Sequence, residues 1–114
     1  MKRPKYGNRK VVRDGITFDS AKEARRWSEL LLLEKAGAIQ NLQRQVKYQL
    51  IPSQKIGGKV AERAVGYVAD FVYEQDGEVI VEDVKGYRGG GAYQIFTLKR
   101  KMMLWFHGVR IKEV

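Results

Sequence analysis

The dipeptide Asp76-Gly77, set between two runs rich in β-branched and aromatic residues, constrains this chain more than any other feature. Asp-Gly between such runs is the strongest short-range signal for a two-residue hairpin loop, whose central positions need positive φ. Val65 to Glu74 and Glu78 to Lys85 therefore read as paired antiparallel strands. Gln75 facing Glu78 sets the register, and counting back along both strands puts Asp70 opposite Asp83. Lys85 lies two residues beyond Asp83 and projects from the same face of the sheet. Opposed side chains have Cβ atoms roughly 4.5–5.5 Å apart, and like charges placed there repel. Two carboxylates and an ammonium on one patch point to a divalent-cation site with a lysine beside it.

Aspartate is depleted in strands, so Asp70 in the run Tyr67-Val68-Ala69-Asp70-Phe71-Val72 asks for a reason beyond local propensity. Glu82 falls on the opposite sheet face by alternation and is excluded from the cation site. Glu23 has two competing uses. Ser20-Ala21-Lys22-Glu23 matches a capping box, in which the Glu at N3 reaches back to the N-cap amide. Glu23 also shares a helical face with Trp27, which would let it lean over the sheet as an additional acid.

Around this hairpin the sequence predicts a short hairpin, Val11 to Arg13 with Ile16 to Phe18, about Asp14-Gly15. A first helix runs from Asp19 or Ser20 to about Ala36, with Ala24, Trp27 and Leu31 on one stripe, and Gly37 closes it. A strand follows over 41–51, then a loop over 52–59, the central hairpin, and a second loop over 87–92. A second helix over 93–107, closed by Gly108, leads to a last strand over 109–114. Helix, three strands, helix, strand describes an α/β protein with a mixed central sheet flanked by helices.

The charge narrows the partner. Lys and Arg outnumber Asp and Glu by 22 to 13, a net charge of +9, which favours a polyanion and above all nucleic acid. Residues 1–10, with Lys2, Arg3, Lys5, Arg9 and Lys10, read as a flexible basic arm before a single domain over 11–114. Lys99 and Lys101 on the second helix suit phosphate, while Arg100 reads as part of a solvated face. Gln45 and Lys47 share a strand face that approaches the same cleft. Arg88 with Gly89-Gly90-Gly91 reads either as a flexible lip over a substrate or as a plain linker; the run lacks the Gly-Lys-Ser/Thr ending of a phosphate loop. The chain has no cysteine, which excludes disulfides, thiolate-ligated zinc and cysteine nucleophiles. Leu30 to Leu33, the longest apolar stretch, is far too short to span a bilayer, and the N-terminus has no apolar signal core. A cytoplasmic protein with no membrane partner is expected.

Asp70, then Asp83-x-Lys85 after a strand–turn–strand, with Glu23 on an upstream helix, resembles the PD-(D/E)XK nuclease superfamily. More closely, Phe18-Asp19-Ser20-x-x-Glu23, Tyr67-x-Ala69-Asp70-Phe71, Glu82-Asp83-Val84-Lys85-Gly86 and the lysine-rich helix resemble a family of small phage and prophage proteins of uncharacterised function. The likeness covers nearly the whole chain beyond residue 5. It implies a restriction-endonuclease-like αβββαβ core and Mg²⁺- or Mn²⁺-dependent hydrolysis of DNA in the host cytoplasm. Asp70, Asp83, Glu23 and the carbonyl of Val84 would hold the metal, and Lys85 would serve the reacting phosphate. Ala69 stands where the motif has proline, and Gln94 and Lys99 are both candidates for a fourth motif residue. By analogy with small resolvases of the superfamily the substrate is branched DNA such as a Holliday junction, whose symmetric incision needs a homodimer. Two rival expectations are a non-catalytic nucleic-acid-binding module and an accessory subunit of a larger nuclease or packaging complex.

Overall fold

A computed structural model describes residues 9–114 of the chain. Lys2, Arg3 and Lys5 of the expected basic arm lie outside the described residues, and Arg9 and Lys10, both exposed, lead into the first strand. Strands β1 (Val11–Arg13) and β2 (Ile16–Phe18) pair around Asp14 and Gly15, whose φ values of 50° and 77° belong to the tight hairpin turn that Asp-Gly predicts. Helix α1 (Ala21–Lys35) begins at Ser20, whose Oγ accepts the Glu23 amide at 3.1 Å. It ends at Gly37, at φ 81°, where the Ala38 amide reaches back to the Leu33 carbonyl. The buried side of α1 runs through Glu23, Ala24 and Leu30, with Trp27 stacked on Phe71 at 5.8 Å. Leu31, expected on that stripe, is exposed.

Strand β3 (Gln40–Ile51) is followed by a correction to the expected loop. Residues 54–62 form a second hairpin, β4 (Gln54–Ile56) and β5 (Lys59–Glu62), turning at Gly57 and Gly58. Every residue of it is exposed, so no buried face imposes the alternation that marks a strand. Then come β6 (Val65–Gln75), β7 (Glu78–Asp83), α2 (Gly90–His107) and β8 (Lys112–Glu113). The expected loop over 87–92 is corrected as well, since Gly90 and Gly91 already belong to the first turn of α2. The last strand is shorter than expected.

The central sheet has the order β3-β6-β7-β8, with β8 parallel to β7 and the other neighbours antiparallel. It is a mixed sheet in an α/β fold, in the predicted succession α-β-β-β-α-β with the exposed hairpin inserted after β3. Each face carries one helix. Phe71 and Tyr73 pack with Leu30 and Ile39 under α1, and Tyr67, Ala69 and Val81 pack with Phe96 and Met103 of α2. No helix of the described residues is long and apolar enough to cross a membrane.

Those two cores reveal a break in alternation that positions everything functional. Tyr67 and Ala69 face α2, whereas Phe71 and Tyr73, of the same parity, face α1. The facing strand does the same. Leu42 packs on the α1 side and Tyr48 and Leu50 on the α2 side, and Gln45 between them has a left-handed φ of 54°. Both strands thus switch faces together at Gln45 and Asp70. The register runs unbroken through this point, from Arg44 opposite Phe71 to Val46 opposite Ala69, so the switch comes from backbone rotation at Gln45 and not from an inserted residue.

Candidate active site

The β6–β7 ladder keeps its predicted register from Gln75 opposite Glu78 to Phe71 opposite Glu82. The next step would bring Asp70 and Asp83 together, and there the strands part. β7 turns toward β8, with the Val114 amide on the Asp83 carbonyl and the Lys85 amide on the Val114 carbonyl, both at 2.9 Å. In place of a ladder bond, the Val84 amide donates to Asp70 Oδ2 at 2.7 Å. The Asp70 carboxylate therefore bridges the split between two strands.

The two acids differ sharply in company. Asp83 is buried, and each of its oxygens has a donor. The Tyr67 hydroxyl reaches Oδ2 at 2.6 Å, and the Lys85 ammonium meets Oδ1 at 2.7 Å while lying 3.3 Å above the Phe96 ring. Among the described residues Asp70 has no ion pair. Its Oδ1 receives a long 3.4 Å contact from the Gln45 amide, which also touches Glu23 Oε1 at 3.3 Å. Glu23, Asp70, Asp83, Val84, Lys22 and Asp19 line one cavity of about 260 Å³.

The electrostatics follow from this crowding. Burial pushes the Asp70 carboxyl up to about 7, and the charges of Asp83 and Glu23 add to it. The Val84 amide and the Lys85 ammonium pull the other way without prevailing. Burial likewise raises Glu23, with the charge of Asp19 behind it, against the Asp19 backbone and Arg44. Half the capping box is present, the Ser20 hydroxyl on the Glu23 amide, but the Glu23 carboxylate turns into the shared cavity. Among the described residues no three acid or histidine side chains converge on one point as a finished metal cage.

Glu82 lies off this cavity, as alternation predicts. It is fully buried under α1 and held by Arg26 through bonds of 2.8 and 2.6 Å, with a very short bond from the Tyr73 hydroxyl. Burial alone would raise the Glu82 carboxyl, but Arg26 and Tyr73 outweigh it and hold it below its ordinary value.

The remaining basic residues divide. Of the Gln45 and Lys47 pair, Gln45 reaches the acids, while Lys47 stands exposed opposite Val68, because the left-handed turn at Gln45 ends their common face. Arg88 is no part of a lip over the cavity; it pairs with Glu113 at 3.6 Å. Arg100, expected in solvent, bonds the same carboxylate at 3.1 Å and is half-buried. Lys101 lines a separate cavity with Arg100 and Arg110, Lys99 is half-buried on α2, and Gln94 is exposed. Three residues near the acids escape sequence reasoning. Tyr67 is hidden by the face switch, Arg44 by its distance in sequence, and Lys22, whose ammonium meets the Lys85 carbonyl at 2.5 Å, by its ordinary place in a helix.

No curated protein and no solved structure matches the chain. Residues 3–112 match the family described as a protein of unknown function, DUF1064. With that span covering nearly the whole length, the chain belongs to the DUF1064 family.

Proposed function

We propose that the protein is a divalent-cation-dependent DNA endonuclease with a centre of the PD-(D/E)XK kind, acting on branched DNA in phage DNA processing in the host cytoplasm. The observation that carries this reading is the pair of acids at the parting of β6 and β7. Asp83 is neutralised by Lys85, and Asp70 is left half-buried, without an ion pair among the described residues and pushed up to about 7 in a cavity shared with Glu23. Two carboxylates kept close without enough positive charge make an arrangement that a cation relieves.

The donor chemistry fits a hard cation such as Mg²⁺ or Mn²⁺, which takes carboxylate and carbonyl oxygen. Asp70, Asp83, Glu23 and the Val84 carbonyl would hold it. Each carboxylate oxygen has two lone pairs, so Tyr67 and Lys85 leave acceptor capacity on Asp83. When bound, the cation supplies charge to a phosphodiester and a nucleophilic water at neutral pH. Lys85 lies beside that position and offers a proton donor and a positive charge to the phosphate oxygens as negative charge develops. Tyr67 fixes the orientation of Asp83, and Gln45 ties Glu23 to Asp70. The exposed cations Arg9, Lys10 and Lys47 hold backbone phosphates, which position a duplex without reading its sequence. A junction cut symmetrically would require two copies of the chain.

A second reading, a nucleic-acid-binding module or a subunit inert without its partner, draws on the engagement of both Asp83 oxygens and the absence of a converged cage among the described residues. One experiment separates them. Linear, nicked, flapped and four-way DNA are incubated with wild type, Asp70→Asn and Lys85→Ala in Mg²⁺, Mn²⁺ or EDTA. Cleavage that needs the metal and disappears in both variants is expected. Cleavage in EDTA, or undiminished in either variant, refutes the assignment, and binding without cleavage favours the second reading.

A further inference from the structure

A second cavity, of about 350 Å³, shares Lys22 and Val84 with the acid-lined one. Its lining is basic where the first is acidic: Lys22, Arg25, Arg26 and Lys112, with Glu29 as its acidic side chain. The charges do not cancel. Arg26 satisfies both Glu29, at 3.0 Å, and the buried Glu82, at 2.6 Å. Arg25 and Lys112 are exposed and have no ion-pair partner among the described residues. Lys22 is tethered at the shared wall by its bond to the Lys85 carbonyl. Four cations thus surround a hollow that adjoins the acids, against the carboxylates of Glu29 and Glu82, the latter also under the charge of Lys112, which leaves a net positive charge there.

We propose that this cavity is a phosphate subsite, taking an internal phosphodiester of the same DNA strand whose neighbouring phosphate lies at the acids. The inference rests on the nuclease reading of the acid cavity. Phosphates recur along one strand every roughly 3.4 Å of helix axis, so a strand held at one cavity brings further phosphates to an adjoining one. The guanidinium of Arg25 offers a fork that matches two phosphate oxygens, and the ammonium groups of Lys22 and Lys112 add point charge. With Lys22 and Val84 common to both walls, an anion seated here sets how far the strand slides past Asp70 and Lys85. The subsite therefore fixes where the scissile bond lies without reading bases.

The test measures binding and cleavage separately. Binding of a fluorescent duplex is followed in EDTA across a salt series for wild type, the double variant Arg25→Ala/Lys112→Ala, and Lys35→Ala at the far end of α1 as control. Each lost phosphate contact lowers the slope of log K against log salt by about 0.9. The double variant should lose about one unit of slope and roughly tenfold in affinity at moderate salt, and the control neither. An unchanged slope, or an equal loss in the control, overturns the subsite. The loss should be the same on duplexes with and without a 5′-phosphate, and a loss confined to 5′-phosphorylated DNA overturns the internal assignment. Mg²⁺-dependent cleavage, assayed alongside, judges the other cavity. Slope loss with no cleavage by wild type keeps the anion subsite and rejects the nuclease, whereas cleavage with unchanged slope does the reverse.

Discussion

Replacing Asp70 by Asn should stabilise the fold above neutral pH while abolishing metal-dependent cleavage. The carboxyl is held at about 7 against an ordinary 3.8, chiefly by burial and then by the charges of Asp83 and Glu23. An acid raised in this way binds its proton more tightly in the folded chain than in the unfolded one. Stability linked to it is therefore complete below 3.8 and is lost as pH climbs to about 7, the reverse of an ion-paired carboxylate. At about 1.4 kcal/mol per tenfold the full gap corresponds to roughly 4 kcal/mol. Asp70 is partly exposed, and solvent screening leaves about 1–2 kcal/mol of that to recover. Asn has the same shape; its oxygen can keep the Val84 amide, and its nitrogen can donate to Gln45 once that amide turns its oxygen toward it.

For a domain of this size that gain raises the melting temperature by roughly 4–8 °C. Thermal unfolding followed by circular dichroism in EDTA is the assay, at pH 8.5 and at pH 4.5. The gain should be present at the first and largely absent at the second. A variant that melts lower than wild type at pH 8.5, or shifts equally at both values, refutes the claim that Asp70 is an uncompensated charge.

Two more outcomes follow from the same contacts. Mn²⁺ should stabilise wild type but not Asp70→Asn, by about 2.7 kcal/mol at a hundredfold excess over Kd, read as a rise in melting temperature. That gain should fall between pH 8 and pH 6, because the cation must displace the Asp70 proton; a shift indifferent to pH counts against the site. Glu82→Gln removes the buried half of the pair with the partly exposed Arg26, which keeps only its surface partner Glu29. Urea denaturation should show a loss of about 1–3 kcal/mol, and an unchanged midpoint would refute a stabilising role for the pair.

Much of the scaffold was legible because its signals are local. Asp14-Gly15 and Asp76-Gly77 announce their hairpins through the φ their turns demand, and Ser20 announces α1 through its hydroxyl. The central register needed only the turn and a count as far as Phe71 opposite Glu82, whereas the parting of the strands at Asp70 and Asp83, expected to face each other, did not show. What failed to show was long-range or unburied. Strict alternation puts Tyr67 on the wrong face, because nothing local marks the coordinated switch at Gln45 and Asp70. The β4–β5 hairpin buries nothing, so it carries no pattern. Helix α2 starts in glycine, a poor helix former, since Gly90 enters at φ 79°, an angle glycine takes at little cost. The Arg26–Glu82 pair joins residues far apart in sequence, so Glu82 could be set aside from the acid site without its true partner being visible.

The unequal treatment of the two acids bears directly on how such a centre would work. Had Lys85 met Asp70 as well as Asp83, the site would be electrically complete and a divalent ion would gain little by entering. Had neither acid a partner, two buried carboxylates would both drift toward protonation and the strands would separate more readily. With Asp83 anchored by Lys85 and Tyr67, the positive deficit is confined to Asp70 and Glu23. With the Asp70 carboxyl pushed up to about 7, a cation competes near neutral pH with a proton rather than with an ammonium already built into the fold. In the proposed nuclease, Lys85 therefore has no need to leave Asp83 for the metal to bind. It stays at the edge of the cavity, where a phosphate oxygen would arrive.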